Sequence, residues 1–266
     1  MQVTELAPRK MPDISAIHSM KDQVSAEEWK LRVDLAATYR LVAMYGWDDM
    51  IFTHISARVP GPEHHFLINP YGLLFEEITA SSLVKIDVNG MKVGESPYPV
   101  NPAGFTIHSA LHMNREDAHC IIHLHTTDGV AVSAQADGLL PLDQHAMMIS
   151  GDIAYHDYEG IALDLDERER LVHDIGDRSV MILRNHGTLA LGESCADAFL
   201  RIYYLERACS MQVRALGGGV KWTTPNQGVP EKTAMQGKMA FRGLLGSMAW
   251  PALLRKLDRI DPSYKH

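Results

Sequence analysis

The pair His123-Leu124-His125 is the first set of residues in this 266-residue chain whose type and spacing could do chemistry. It ends the apolar run 120–125, which is typical of a strand, and residues i and i+2 of a strand point to the same face. Two neutral imidazoles on one face can chelate zinc or another borderline divalent ion. A chance spacing of two hydrogen-bonded histidines explains the pair equally well, because the chain has 14 histidines.

A second candidate is the tripeptide Asn185-His186-Gly187. It lies between two short apolar runs, at a turn where glycine permits backbone angles that other residues resist. A third imidazole nitrogen would complete the open site of a catalytic zinc, which has three protein ligands and a water. Taken by itself, a histidine at a surface turn accounts for the same residues.

The elements that must position these histidines are strands and helices interleaved along the chain. A capping box at Ser25 and Glu28 predicts the start of the first helix, and Gly46 predicts its end. Apolar and alternating runs predict strands at 52–59, 65–69, 120–125, 179–184 and 188–192, with an Asn-Gly hairpin within 85–93. Helical spacing predicts further helices at 103–114, 127–136, 166–176 and 194–216.

This pattern predicts one α/β domain with a segment at each end. Residues 1–24 are polar and contain proline, which is typical of an arm, and the domain covers 25–219. Residues 220–266 form a C-terminal extension with a methionine-rich amphipathic segment. We expect this extension to pack on the domain or on a neighbouring subunit.

Composition excludes several classes of protein. The chain has 25 basic and 33 acidic residues and a net charge of −8, which disfavours nucleic acid or an anionic membrane as a partner. Its three cysteines show no C-x-x-C spacing, so neither a disulfide scaffold nor a thiolate zinc knuckle is expected. We find no apolar run of about 18 residues and no signal-peptide pattern, and we expect a cytoplasmic protein.

Several motifs, in order and with matching gaps, resemble the class II aldolase/adducin family over residues 26–216. They are N-P-Y-G at 69–72, E-E-I-T-A-S-S-L-V-K-I-D at 76–87, H-L-H at 123–125 and R-N-H-G at 184–187. The resemblance implies a three-layer α/β/α fold with a central mixed, largely antiparallel sheet. It also implies a homotetramer with sites near subunit interfaces, and a zinc ion held by His123, His125 and His186. Mn²⁺, Fe²⁺, Co²⁺ and Ni²⁺ are the alternative ions.

The chain departs from the family's sugar-phosphate aldolases at the residues that do their chemistry. Gly104 stands where those enzymes place a catalytic glutamate, and it can neither coordinate a metal nor move a proton. Pro102 and Ala103 replace serines that bind substrate phosphate, and Thr53-His54 replaces a phosphate-binding Gly-Asn pair. The chain therefore resembles the adducin-like branch, which lacks the glutamate.

Other residues must then move protons and bind substrate. The candidates for catalysis are His54, His108 and Tyr158. The candidates for substrate binding are Asn69, Tyr71, Gly72, Gly104, Thr126 and Gln144.

We expect a metal-dependent lyase that cleaves or decarboxylates a small carbonyl or carboxylate compound through a metal-stabilised enolate. Loss of the phosphate-binding residues favours an unphosphorylated substrate. Two alternatives stay open: a non-catalytic adducin-like interaction module, and a sugar-phosphate aldolase, epimerase or dehydratase. A metal at the three histidines separates the enzyme from the module.

Overall fold

The computed structural model of the chain describes residues 17–161, 166–219, 221–241 and 244–266, without the side chains at 102–105, 244 and 245. Most of the predicted arm, residues 1–16, lies outside the described residues. The helices are α1 (Ala26–Met44), α2 (Pro102–Asn114), α3 (Thr127–Ser133), α4 (Gln144–Ile149), α5 (Glu167–Ile175), α6 (Cys195–Gly217), α7 (Val229–Ala240) and α8 (Leu244–Ile260). The strands are β1 (His54–Arg58), β2 (Phe66–Ile68), β3 (Val84–Ile86), β4 (Cys120–Leu124), β5 (Ile153–His156), β6 (Val180–Leu183) and β7 (Gly187–Gly192).

The strands form one sheet in the order β3-β2-β1-β4-β7-β6-β5. All neighbouring pairs are antiparallel except β5 and β6. This confirms the mixed, largely antiparallel sheet. Strand β4 lies at the centre, where His54 of β1 pairs with His123 and Leu189 of β7 pairs with the same residue.

Apolar side chains on the two faces of the sheet belong to two separate cores. Cys120, Ile122 and Leu124 of β4 pack with side chains of α1 and α6. Ile121 of β4 packs with side chains of α2 and α5. Burial of these faces supplies the main stabilisation, at roughly 25 cal/mol per Å² of apolar surface. The alternation predicted for 120–125 is confirmed, and it places His123 on the face that α2 covers.

Some local predictions were overridden by contacts between distant parts of the chain. The Ser25 hydroxyl caps α1 by accepting from the Glu28 backbone N–H at 3.1 Å. The Glu28 carboxylate does not complete the capping box: it pairs instead with buried Arg32 at 2.9 Å and with Lys85 at 2.6 Å. A buried charge needs such partners, and their attraction outweighs one exposed backbone hydrogen bond.

The hairpin differs from the prediction, whereas Asp166 lies at the N-cap of α5 as predicted. The Asn-Gly turn reverses the chain, but it leaves one isolated bridge, between Ile86 and Lys92, instead of a second strand. The Asp166 side chain makes no capping hydrogen bond to α5. Helices α4 and α7 and strand β5 are elements that we did not predict.

The C-terminal segment packs on the rest of the fold. The Trp250 indole N–H of α8 donates to Asp34 of α1 at 3.2 Å, and its ring lies 6.1 Å from that of Phe199 in α6. Helix α7 lies so close to α4 that a Cβ at Gly237 would come within 2.1 Å of the Met148 carbonyl oxygen. The division into arm, domain and extension remains a prediction. Within the described part of the chain, none of the helices is both long and apolar enough for a membrane span.

Candidate metal centre

Three histidines meet where the central strands end. His123 is the fourth residue of β4, and His125 follows the last residue of that strand. His186 lies in the tight turn between β6 and β7, closed by a hydrogen bond from its backbone N–H to the Leu183 carbonyl at 3.1 Å. Asn185 adopts a left-handed conformation there (φ 54°), which asparagine tolerates better than most residues.

Gly187 brings this turn close to β4. A Cβ at Gly187 would lie 2.3 Å from the Leu124 carbonyl oxygen and 3.2 Å from Cδ2 of His125. A side chain of any size would therefore force the two strands apart. The absence of a Cβ is what lets His186 come next to His125.

The three imidazoles point their Nε2 atoms at one another. Nε2 of His125 lies 2.9 Å from Nε2 of His123 and 3.0 Å from Nε2 of His186. Among the described residues, these three histidines are the group of potential metal-binding side chains that lie close enough together to hold an ion. For a tetrahedral zinc with Zn–N bonds of 2.0–2.1 Å, the nitrogens would be about 3.3 Å apart, so each of these two distances needs to lengthen only slightly.

The Nδ1 atoms of His123 and His125 lie against acceptors, which fixes where the protons of these two rings lie. Nδ1 of His123 donates to the Thr188 carbonyl at 3.0 Å, and Nδ1 of His125 donates to the Asp49 carboxylate at 3.1 Å. In the neutral rings both Nε2 atoms therefore carry lone pairs. Two lone pairs repel at 2.9 Å unless a cation lies between them. Because a proton bridges only two nitrogens, convergence of three fits a metal ion better.

The environment favours the neutral form of His123 and His186. Burial, followed by the neighbouring His125 and His156, lowers the pKa of His186 to about 4. Burial and the adjacent imidazoles also lower the pKa of His123 well below its usual value. A neutral imidazole is the form that binds a metal ion.

Two of the three residues predicted for catalysis lie beside the triad, in the layer between the sheet and α2. His54 is 3% exposed, and its ring centroid is 5.2 Å from that of His123. Nδ1 of His54 lies 2.9 Å from Nε2 of His108. Burial and the histidines around it lower the pKa of His54 to about 3.

Tyr158, the third, lies on the open side of the site. Its ring centroid is 6.0 Å from that of His186, and the side chain is 53% exposed. The structure thus brings His54, His108 and Tyr158 together around the three histidines of the triad.

The residues predicted to bind substrate are more scattered. Asn69 is buried, and its backbone N–H and Oδ1 lie 3.1 and 3.0 Å from the Tyr39 hydroxyl. The Tyr71 backbone N–H donates to Pro99, and Gly72 has φ 108°. Gln144 is exposed at the start of α4.

Thr126 uses its hydroxyl within the fold: it accepts from the Gly129 N–H at 2.9 Å, which caps α3, and donates to Glu206. Gly104 lies in the first turn of α2, in the stretch 102–105 whose side-chain positions are outside the description. The substrate-binding roles of all six residues remain predictions.

The residues that hold the triad in place were missed by sequence reasoning. Asp49 contacts His125 from 76 residues away. Glu206 of α6 accepts hydrogen bonds from the hydroxyls of both Thr126 and Thr188. Burial is the main reason why the pKa of Glu206 rises to about 7. The signal available in the sequence was that helical spacing places Glu206 on the buried face of α6.

Comparison with known proteins identifies the family. The model of the Class II Aldolase and Adducin N-terminal domain matches residues 33–213. The chain belongs to the class II aldolase and adducin family. A Caulobacter vibrioides member with the provisional name aldolase class 2 protein is 58% identical over 92% of this chain and 96% of its own.

Two further comparisons extend across the family. The crystal structure of an aldolase II superfamily protein from Pseudomonas syringae matches with a TM-score of 0.89 at 51% identity, over 94% of this chain and all of that one. Alpha-adducin of Mus musculus is 44% identical over 86% of this chain, which corresponds to 33% of adducin. The family therefore includes relatives named as aldolases and relatives named as adducins at high identity to this chain.

Proposed function

We propose that this protein is a metal-dependent carbon–carbon lyase that acts on a small, unphosphorylated carbonyl or carboxylate compound. The observation that carries the proposal is the convergence of three Nε2 atoms, two of them with their Nδ1 atoms held by fixed acceptors. Three nitrogen ligands leave a coordination position open for substrate. We propose Zn²⁺ as the ion, with Mn²⁺, Fe²⁺, Co²⁺ and Ni²⁺ as alternatives.

A metal ion bound here would polarise a carbonyl oxygen and so favour formation of a carbanion on the neighbouring carbon. The chain must supply the group that moves the proton. Gly104 stands at the position of the family aldolases' glutamate and cannot do so. His54 lies on the face of the sheet that carries the triad, within hydrogen-bond distance of His108, and we assign proton movement to His54 with His108 as its buried partner.

Two arginines close in sequence to His54 and His186 support an unphosphorylated substrate. Arg58, at the end of β1, donates to the carbonyls of His112 and Arg115. Arg184, two residues before His186, donates to the Gln135 carbonyl at 2.7 Å and stacks over Tyr155. Both guanidinium groups are engaged in the fold, whereas a phosphate site needs cationic donors directed at the ligand.

Metal analysis together with a substrate panel tests this proposal. We expect about one divalent ion per chain, and turnover of hydroxy-acids, keto-acids or unphosphorylated sugars by the metal-loaded protein. The control is His173→Ala, because that imidazole is 86% exposed on α5. Turnover of phosphorylated sugars alone would contradict the substrate class.

The second candidate is a non-catalytic interaction module, which the 44% identity to alpha-adducin favours. A module of this kind does not need a metal ion at the three histidines. Absence of metal from the purified and metal-supplemented protein, with no turnover, would support the module and overturn the lyase.

We also propose a homo-oligomer, a tetramer, with the site near a subunit interface, and a cytoplasmic location. Tyr158 beside His186 is exposed, and so are Met50 and Phe52, which follow Asp49 by one and three residues. This exposed apolar surface supports an interface near the site. Light scattering coupled to size exclusion measures the mass, and a monomer would contradict the shared site.

A further inference from the structure

A line of buried side chains runs from the metal centre into the layer between β1 and α2. Nδ1 of His54 lies 2.9 Å from Nε2 of His108, and Nδ1 of His108 lies 2.6 Å from the Ser56 hydroxyl. The same hydroxyl lies 2.7 Å from Nε2 of His112, whose Nδ1 lies 2.7 Å from the Ala118 carbonyl. We call these four side chains the histidine relay: His54, His108, Ser56 and His112.

The residue spacing along β1 and α2 places the four side chains of the relay on facing sides of these two elements. His54 and Ser56 are i and i+2 on β1, so they share one face of the strand. His108 and His112 are i and i+4 on α2, so they share one face of the helix. All four side chains are buried, and Phe66 stacks on the His112 ring with centroids 4.6 Å apart, which closes the inner end.

The inner end fixes the direction of every hydrogen bond. The Ala118 carbonyl can only accept, so Nδ1 of His112 carries the proton and Nε2 of the neutral ring carries a lone pair. The Ser56 hydroxyl must therefore donate its single proton to His112. It is then left to accept from His108, whose Nδ1 must carry a proton.

The same reasoning continues to the outer end. Nε2 of neutral His108 carries a lone pair, so the 2.9 Å contact requires Nδ1 of His54 to donate. None of the hydrogen bonds in the relay involves a carboxylate, and burial without a counter-charge favours neutral rings. Burial lowers the pKa of His112 to about 3 and that of His108 well below its usual value.

We propose that the histidine relay holds His54 in the tautomer protonated at Nδ1, so that Nε2 of His54 is the proton acceptor beside the metal ligands. His54 is then a catalytic base, whereas His108, Ser56 and His112 are positioning residues. The inference rests on the proposed lyase function and narrows it. A fixed acceptor suits retro-aldol cleavage, which begins by removing a hydroxyl proton, and it does not suit decarboxylation, which needs a proton donor.

The step balances without a further reactant. The proton of the substrate's β-hydroxyl moves to Nε2 of His54, and its O–H electron pair forms the new carbonyl. The bond between the α- and β-carbons breaks, and its electron pair stays on the α-carbon, next to the carbonyl that the metal ion would polarise. Nδ1 of His54 keeps its proton and its hydrogen bond to His108 throughout. Because burial disfavours the charged ring, the proton on Nε2 then passes to the α-carbon, which returns His54 to its neutral form.

The test is NMR of the full chain labelled with ¹⁵N-histidine, both metal-free and loaded with Zn²⁺. Signals of His54 are assigned by their absence from His54→Gln. We expect a proton on Nδ1 and none on Nε2 in the wild type. Ser56→Ala removes the acceptor for His108 Nδ1, and we expect a mixture of His54 tautomers and a kcat about 10-fold lower with little change in KM.

Two matched variants separate the relay from a general loss of packing. Ser56→Thr keeps the hydroxyl and should retain the wild-type tautomer. Ser109→Ala removes a buried hydroxyl next to His108 that, among the described residues, bonds to the Thr106 carbonyl at 3.4 Å, and it should also leave the tautomer unchanged. If Ser56→Ala does not fold, the wild-type spectrum still decides the tautomer.

Three results would overturn the proposal: a proton on Nε2 of His54 in the wild type, an unchanged tautomer in Ser56→Ala, or a zinc-induced shift of His54 Nε2 like that of the three ligands. The metal-free spectrum depends on neither metal nor substrate. Failure of the lyase function, shown by absent metal or turnover, is thus distinguishable from failure of the relay.

Discussion

The Glu206 carboxylate accepts a hydrogen bond from the Thr188 hydroxyl, and the backbone carbonyl of Thr188 accepts a hydrogen bond from Nδ1–H of His123. A buried carboxyl on α6 is thereby linked through one residue to a candidate metal ligand, His123, on the other face of the sheet. Thr126, next to His125, donates to the second oxygen of the same carboxylate. Glu206 therefore ties together the ends of the two strands that carry the site.

This link predicts a pH dependence of stability. Burial raises the pKa of Glu206 to about 7, so between its unfolded pKa of 4.5 and about 7 the folded chain holds a proton that the unfolded chain releases. The free energy of unfolding should then fall as pH rises through this window, by about 3 kcal/mol from this residue. Above about pH 7 both states are ionised, and the contribution stays constant.

Urea unfolding of the wild type and Glu206→Gln at pH 5 and pH 8 measures the effect. The variant cannot ionise, so its free energy of unfolding relative to wild type should rise by about 3 kcal/mol between the two values. Equal pH dependence in both proteins would show that Glu206 does not titrate in this range.

The triad predicts the effect of removing a ligand. His123→Ala, His125→Ala and His186→Ala each leave two nitrogens, and we expect the bound metal to fall from about one ion per chain to none after dialysis. Elemental analysis measures it, with exposed His173→Ala as the control that keeps its metal. Retention of a full ion in all three variants would place the metal elsewhere.

Asp49 is not one of the three candidate ligands, and we expect its replacement to affect zinc affinity less than loss of a ligand does. Its carboxylate accepts from Nδ1 of His125 and so orients that ring and makes it more basic. We expect Asp49→Asn to weaken zinc affinity by about 10–100-fold without loss of the fold. Competition with a chromophoric chelator measures the affinity, and Asp48→Asn removes the same charge one residue away. Equal affinities of the two variants would argue against the orienting role.

The features of this site that depend on neighbouring residues can be predicted from the sequence, whereas the contacts between distant residues cannot. Alternation along β4 places His123 and Ile121 on one face, and the structure confirms this because each strand position has only two faces to choose from. The partners Asp49 and Glu206 lie 76 and 80 residues from the residues they contact, and no short period encodes such a contact.

The lack of a local signal for contacts between distant residues also explains why the histidine relay was not predicted and why Glu28 does not complete the predicted capping box. Ser56 and His112 have the spacings of a strand face and a helix face, but only the packing of α2 on β1 brings the two faces together. Glu28 satisfies a local motif, yet its carboxylate lies 2.6 Å from Lys85, 57 residues away. Local rules predicted most of the elements, whereas contacts between them decided where the charged and polar side chains went.

Gly187 predicts a loss of both stability and metal binding. In Gly187→Ala the new Cβ would lie 2.3 Å from the Leu124 carbonyl oxygen, which is backbone and cannot rotate away, so β7 must move from β4. We expect the free energy of unfolding to fall by about 2–4 kcal/mol, and zinc affinity to fall with it because His186 moves with the turn. The matched control is Gly217→Ala near the end of α6, where a Cβ meets no heavy atom within 4 Å and alanine favours the helix. Urea unfolding and chelator competition on both variants check this. Wild-type values for Gly187→Ala would mean that the close approach of β7 to β4 does not hold His186 in place.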